Sequence, residues 1–328
     1  MGGLARRATV IKELKKEGKE LLAVDAGNSL FKEKGSPSSA ERKRARLLAT
    51  TYRRIGYQAV NVGSNDLLAG IEFLKQLKEE VHLPLLSANL LDAKGGKPIF
   101  KTHMRIDLSG IRVGVVGLTS DVPHQEGVIP EGYFLSDPLT AANRMAAELV
   151  TDCDIIVALG NLGSFKEYTE LVQKVEAIQF IFGSGGKGSY HHPIRSNSGS
   201  KATLFQTYAK GQYLGRIDLR VVKGDYDFVD LSRRSYLERT IKSVESQLES
   251  YRTGSGRAAP IPQDKRDEYI KRLEDFKKRS EEQLKRLEEE SRTKSTFINT
   301  PIRLNDTIKE DPEIKEVIDR FKKGSLSS

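Results

Sequence analysis

The residues best placed to do chemistry are polar ones at the ends of apolar runs. Gly27-Asn28 ends LLAVDAGN, Gly63-Ser64-Asn65-Asp66 ends QAVNVGSND, Gly160-Asn161-Leu162-Gly163 ends DIIVALGNLG, and Gly183-Ser184-Gly185-Gly186-Lys187 ends FIFGSGGK. Asn28, Asn65 and Asn161 offer carboxamides, Ser64 and Ser184 hydroxyls, Lys187 a positive charge, and the glycines of 183–188 backbone N–H groups. Such a set suits a phosphate-like anion held without a metal. The same side chains could instead satisfy one another and close the space between the loops. A dinuclear metal site would want mainly other donors, namely carboxylate and imidazole with one amide oxygen. FGSGGKGS differs from a nucleotide P-loop, because Gly188 rather than Ser or Thr follows Lys187 and no clear helix follows. Adjacent His191 and His192 cannot easily face one metal and read as a surface loop. Asp25 reads as a structural hydrogen-bond acceptor, and Cys153 as a buried structural thiol. No Ser-His-Asp or Cys-His set is visible.

The elements that must position these loops alternate between strand and helix. Thr9 to Lys16 reads as helix, Leu21 to Gly27 as buried strand, and Ser39 to Ile55 as helix with Ser38 or Ser39 as N-cap. Gln58 to Gly63 and Leu83 to Leu90 read as strands around a helix from Leu67 to Val81. A turn at Ser109-Gly110 predicts a hairpin in THMRIDLSGIRVGVVGLTS. Pro138 to Val150 and Phe165 to Val175 read as helices, each followed by a strand. ATLFQTYAKGQYLGRIDLRVV reads as a second hairpin around Lys210-Gly211. Repeated strand–helix–strand units predict a mixed sheet covered by helices.

Beyond about residue 231 the composition shifts. Leu237, Ile241, Val244, Leu248 and Tyr251 form a heptad stripe. GSGRAAPIPQ breaks the helix, and a longer charged helix follows whose stripe reads Tyr269, Leu273, Phe276, Ser280, Leu284, Leu287, with Ser280 as an interruption. Residues 232 to 294 are therefore expected to form an antiparallel helical hairpin hinged at Gly254 to Pro262. The chain of 328 residues is 38% hydrophobic and 30% charged, which fits a packed core plus a polar helical part. No run approaches the length of a membrane span. The formal charge is +9, but Lys and Arg are interleaved with acids and no aromatic residues cluster with them in sequence. That describes a solvated basic surface rather than a nucleic-acid site.

The order of fragments GGLARRATVIKELK, LLAVDAGNSL, GYQAVNVGSND with GIEFLK, LPLLSANL, IRVGVVGLTSD, VALGNLG, FIFGSGG and YLGRIDL resembles the calcineurin-like metallophosphoesterase domain of the periplasmic 5′-nucleotidases, over roughly residues 2 to 225. The resemblance implies an α/β fold, a metallophosphoesterase-like two-sheet sandwich flanked by helices, here with a C-terminal helical hairpin. It also implies two divalent metals that clamp a phosphate and activate water. The family's ligand motifs are changed throughout. Its Asp-x-His precedes Gly-Gly-Leu and is expected to be absent from a chain starting at Met1-Gly2. Its bridging Gly-Asp reads Gly27-Asn28, and its Gly-Asn-His-Asp/Glu reads Gly63-Ser64-Asn65-Asp66. Its Ser-His-Leu-Gly-like loop reads Gly160-Asn161-Leu162-Gly163, and the two histidines of its Gly-His-x-His fall on Gly185 and Lys187.

The expected division is a metallophosphoesterase-like domain over 1–230 and a charged hairpin and tail over 231–328. The expected function is a non-catalytic binding or assembly domain without metal or other cofactor. The relic pocket would be built from Asn28, Ser64, Asn65, Asp66, Asn161, Ser184, Gly185 and Lys187 and would be open to a phosphate-like anion. The hairpin would serve a protein partner or self-association, with no nucleic acid and no membrane span. The alternatives are a phosphoester or nucleotide hydrolase with a rearranged metal site, or a domain of a larger exported protein. Multihaem fusions are one such case, though no Cys-x-x-Cys-His occurs here. The family resemblance implies a periplasmic or extracellular location, and MGGLARRATVIKELKKEG carries no apolar signal-peptide core.

Overall fold

A computed structural model describes residues 3–31, 35–120, 129, 131–184, 194–195, 202–206, 211–253 and 262–324. The chain divides into two compact units, one of residues 1–215 with 301–328 and one of 216–300.

The first unit is a two-sheet sandwich. Its larger sheet has the order β10-β11-β9-β8-β6-β5. These strands are β5 (His103–Leu108), β6 (Ile111–Thr119), β8 (Ile155–Asn161), β9 (Phe180–Ser184), β10 (Ile194–Arg195) and β11 (Thr203–Gln206). β6, β8, β9 and β11 run parallel, while β5 and β10 are antiparallel edges. The expected β5–β6 hairpin forms, with Ser109 and Gly110 both at positive φ, 52° and 85°, as a tight primed turn requires. The central strands are apolar on both faces, as parallel strands covered on two sides must be. Val116, Leu118, Ile156, Ala158 and Ile181 face a core shared with α4 (Pro138–Leu149) and α5 (Phe165–Lys174).

The opposite face meets a small parallel sheet of β1 (Val24–Asp25), β2 (Ala59–Asn61) and β3 (Leu85–Leu86). A Cβ on Gly117 of β6 would lie 2.6 Å from Asn61 Oδ1 and 2.8 Å from the Leu86 carbonyl. Glycine is therefore what lets the two sheets approach there. The outer face of the small sheet is covered by α1 (Gly3–Lys16), α2 (Ser39–Ile55), α3 (Ile71–Val81) and α8 (Pro312–Lys322), which share one core with Val60, Val62 and Leu85. A two-stranded ribbon of β4 (Leu90–Asp92) and β7 (Tyr133–Leu135) completes the unit.

α2 begins where its sequence dictates. The Ser38 hydroxyl accepts from Glu41 N, and the Glu41 carboxylate accepts from Ser38 N at 2.8 Å, a reciprocal capping box. Ser38→Ala is expected to cost about 1 kcal/mol, seen as a lower denaturant midpoint with an unchanged slope.

Two expectations change. The second hairpin does not form: β11 lies between β9 and β10, whereas β12 (Tyr213–Arg220) pairs with β14 (Thr296–Arg303) in the order β12-β14-β13, with β13 at Val229–Asp230. The two runs differ in kind. Thr203, Leu204 and Phe205 are buried, as between-layer strands are, while no described residue of β12 is fully buried. Lys210 of the expected turn lies outside the described residues. The division at 230 is also drawn elsewhere, because the tail returns to the first unit. Ile314 and Ile318 of α8 sit in the core with Ala5, Ala8 and Ile11 of α1. Asp311 caps α8 through Ile314 N at 3.0 Å and pairs with Lys12 at 2.7 Å.

In the second unit α6 (Arg234–Thr253) and α7 (Gln263–Thr293) run antiparallel, tied by Arg234–Glu288, Glu245–Lys277 and Arg252–Glu274. Residues 254–261 of the expected hinge lie outside the described residues. Leu237, Val244 and Leu248 are buried as read. On α7 the stripe differs. Tyr269 and Phe276 are exposed, and the inward line passes through Leu273, Lys277, Ser280 and Leu284, with Ser280 only 5% exposed. Ser280 is thus a member of the stripe. It is small enough for close helix approach, and its hydroxyl donates to the Phe276 carbonyl at 2.9 Å.

Candidate functional site

Three parallel strands of the large sheet end in register on polar residues: Thr119 of β6 opposite Asn161 of β8, and Asn161 opposite Ser184 of β9. Alternation places this row on the face toward the small sheet. Each member reaches backbone there. Thr119 Oγ1 donates to the Val62 carbonyl. Asn161 Oδ1 accepts from Ser64 N at 2.7 Å, and its Nδ2 donates to the Ser184 carbonyl at 3.1 Å and Oγ at 3.2 Å. Ser184 Oγ donates to the Ala26 carbonyl at 2.7 Å. The row therefore fastens the loop after β1 and the loop after β2 to the large sheet.

Those two loops are fastened to each other by Asn28 and Asp66. Asn28 sits at φ 61°, a left-handed conformation that Asn tolerates better than most residues. Its Oδ1 accepts from Asn65 N at 2.8 Å. Asp66 is 1% exposed and accepts three backbone N–H groups, from Asn28 at 2.9 Å, Leu30 at 3.0 Å and Gly63 at 2.9 Å. Burial pushes its carboxyl up to about 7, against the pull of those N–H donors toward the charged form. Gly27, at φ 101°, and Gly63 touch backbone to backbone: a Cβ on Gly27 would be 2.9 Å from Gly63 N.

Of the residues singled out from sequence, Asn28, Ser64, Asn65, Asp66, Asn161 and Ser184 come together in this network. Gly185 and Lys187 lie outside the described residues, as do His191 and His192. Asn65 and Ser64 take part through backbone N–H groups, both being 7% exposed or less. Asp25 is a structural acceptor as read. It takes Gly27 N at 2.9 Å and the Tyr52 hydroxyl at 2.8 Å, while Arg7 Nη1 donates to the hydroxyls of Tyr52 at 2.9 Å and Tyr57 at 3.0 Å. Sequence reasoning missed Arg7, Thr119 and Asn61. Asn61 Nδ2 donates to the carbonyls of Ala26 at 3.1 Å and Leu118 at 2.9 Å, bridging the sheets. Its signal was present: a fully buried amide interrupting the apolar strand AVNV. Among the described residues, no three of His, Cys, Asp and Glu gather as a metal-ligand group.

This fold and motif order place the chain among known proteins. No family model matches it. It is 30% identical over 245 residues to a 5′-nucleotidase of Diplobatis ommata, covering 68% of this chain and 41% of that relative. A 5′-nucleotidase precursor from Thermus thermophilus superposes with a TM-score of 0.57 at 22% identity, over 69% of this chain and 46% of that one. The calcineurin-like phosphoesterase YfkN from Bacillus subtilis superposes with a TM-score of 0.59 at 14% identity, over 99% of this chain and 89% of that one. The chain carries a metallophosphoesterase domain of the 5′-nucleotidase family. It spans 41% of the length of the Diplobatis relative.

Proposed function

We propose that this domain is a non-catalytic member of the family, an exported scaffold for binding or assembly in which the dinuclear metal site has been replaced by a protein-to-protein hydrogen-bond network. One observation supports this above the others. At the mouth of the sandwich, the oxygens of Asn28 and Asn161 are already occupied by the backbone N–H groups of Asn65 and Ser64. The described donor set does not fit two divalent cations. It consists of carboxamides and hydroxyls turned onto backbone, and its carboxylate, Asp66, is spent on three N–H donors. A carboxylate facing no cation would carry a burial cost of several kcal/mol, by rough estimate, that a carboxamide of the same shape avoids. Asn28, Ser64, Asn65, Asp66, Asn161 and Ser184 are then a relic of the family's site. The substrate activity carried in the relatives' names is not transferred.

The test is elemental analysis of protein purified in manganese or zinc, with hydrolysis of a generic phosphodiester and of nucleoside monophosphates. The expected result is metal far below one per chain and no hydrolysis that a chelator removes. Two metals per chain, or chelator-sensitive turnover, would replace this reading with that of a hydrolase using a rearranged site.

A further inference from the structure

The helices of the 216–300 unit sort their charges by side. On the side closed by the Arg234–Glu288, Glu245–Lys277 and Arg252–Glu274 pairs, both signs are mixed, and the groove carries Glu245, Glu249, Glu274 and Glu281. The other side is marked by the Tyr251 and Tyr269 rings, whose centroids are 5.5 Å apart. From Tyr269, steps of three and four residues along α7 give Arg272, Phe276, Arg279, Gln283 and Arg286, all exposed. The flank of α6 on this side carries Thr240, Ser243 and Gln247. Between Tyr269 and Arg286 this line therefore holds three arginines, with exposed Asp275 and Glu282 beside it next to Arg279. Arg272 shares its guanidinium with Glu268, while Arg279 and Arg286 make no ion pair among the described residues. The aromatic and basic residues that do not cluster in sequence are aligned by the helical period.

Two properties of this face are unusual together. Tyr269 and Phe276 are 44% and 42% exposed, and the cations beside them are guanidinium groups, which match phosphate oxygens in pairs. We infer that this face of the hairpin docks on an anionic phospholipid surface, the rings entering the headgroup boundary and the arginines holding lipid phosphates. The stripe is about 26 Å long at 1.5 Å per residue and winds gradually around the helix, because its mean step of about 3.4 residues falls short of 3.6. A nucleic-acid strand would want a basic groove with stacking walls, and the groove of this pair lies on the side carrying the glutamates. Aromatic and arginine side chains together are also the composition that amphipathic elements use at a membrane interface. The chain's overall charge of +9 adds long-range attraction to such a surface. The inference does not depend on the polar row of the sandwich or on its metal content.

Flotation of the whole chain with phosphatidylcholine vesicles, and with vesicles also containing phosphatidylserine, tests it. Binding is expected only to the anionic vesicles and should weaken with salt. The triple variant Arg272→Gln, Arg279→Gln, Arg286→Gln should lose binding by about tenfold or more. The triple variant Lys271→Gln, Lys278→Gln, Lys285→Gln removes the same charge from another exposed side of α7 and should change binding by about twofold at most. The sequence contains no tryptophan, so Phe276→Trp supplies a single emitter that should shift to the blue on anionic vesicles. Circular dichroism of both triple variants checks that they fold. The idea is overturned by absence of binding to anionic vesicles, or by equal losses in the two triple variants. Arginine-dependent binding of a single-stranded oligonucleotide without vesicle binding would overturn it as well.

Discussion

Asp66→Ala is expected to destabilise the sandwich by about 3–6 kcal/mol, since it orphans three buried or part-buried backbone N–H groups at about 1–3 kcal/mol each, with partial relief from water. Asp66→Asn should be only somewhat milder. An amide keeps the shape, but its NH₂ must face at least one N–H donor that the carboxylate satisfied. The two variants also differ from wild type in pH dependence. Burial raises the folded-state carboxyl to about 7, above its ordinary value of 3.8. The folded protein therefore holds this proton more tightly than the unfolded chain. The contribution is fully present below about pH 4 and is lost as pH rises through about 7, an effect on the order of 4 kcal/mol. Chemical denaturation at pH 5.5 and pH 8 should show the wild type losing stability toward pH 8, and Asp66→Asn removing that slope. His103, which burial holds below its ordinary value, acts in the opposite direction and stays in place in both proteins. A slope unchanged in Asp66→Asn would mean that the carboxyl is already ionised throughout this range.

The second large effect is expected at Gly63. A Cβ there would overlap both the backbone N and the Oδ1 of Asn28. Neither can withdraw, because Asn28 N is bonded to Asp66 and Asn28 Oδ1 to Asn65 N. Gly63→Ala should cost more than about 3 kcal/mol and should separate the two loops. Gly95→Ala is the matched control, since its Cβ would meet nothing nearer than Asp92 Oδ1 at 3.5 Å. It should move stability by about 0.5 kcal/mol or less. Denaturant midpoints of the two variants decide the matter, and similar values would show that the loops give way freely.

Much of the scaffold can be read from the sequence because its signals are local. Ser38 and Glu41 announce the start of α2, Ser109-Gly110 the tight turn, and DIIVALG the central buried strand. What escapes such reading is pairing at a distance. Nothing near Lys210 says that β11 will be captured by β9, or that β12 will wait for a strand some eighty residues further on. The same holds for the site. Its residues are legible as types, but whether Asn161 faces a ligand or Ser64 N depends on strand register and on how closely two sheets approach. Arg7, Tyr52, Tyr57 and Asp25 form one polar cluster through hydrogen bonds that span 27 to 50 residues, and no spacing rule links them. The α7 stripe misleads because two heptad-compatible lines run along it, and size alone favours turning the aromatic side chains inward in place of Ser280.

The return of α8 onto α1 bears on the order in which the protein can mature on the ribosome. The apolar side of residues 4–11 emerges about three hundred residues before its partners Ile314 and Ile318. Asp311 N also donates to the Ala5 carbonyl at 3.1 Å, and Gln212 accepts from Leu304 N at 2.8 Å. Throughout the translation of residues 216–300 the sandwich must therefore remain unsealed, with α1 waiting on α8. Its exposed seam is then a natural client for a chaperone until α8 has been made.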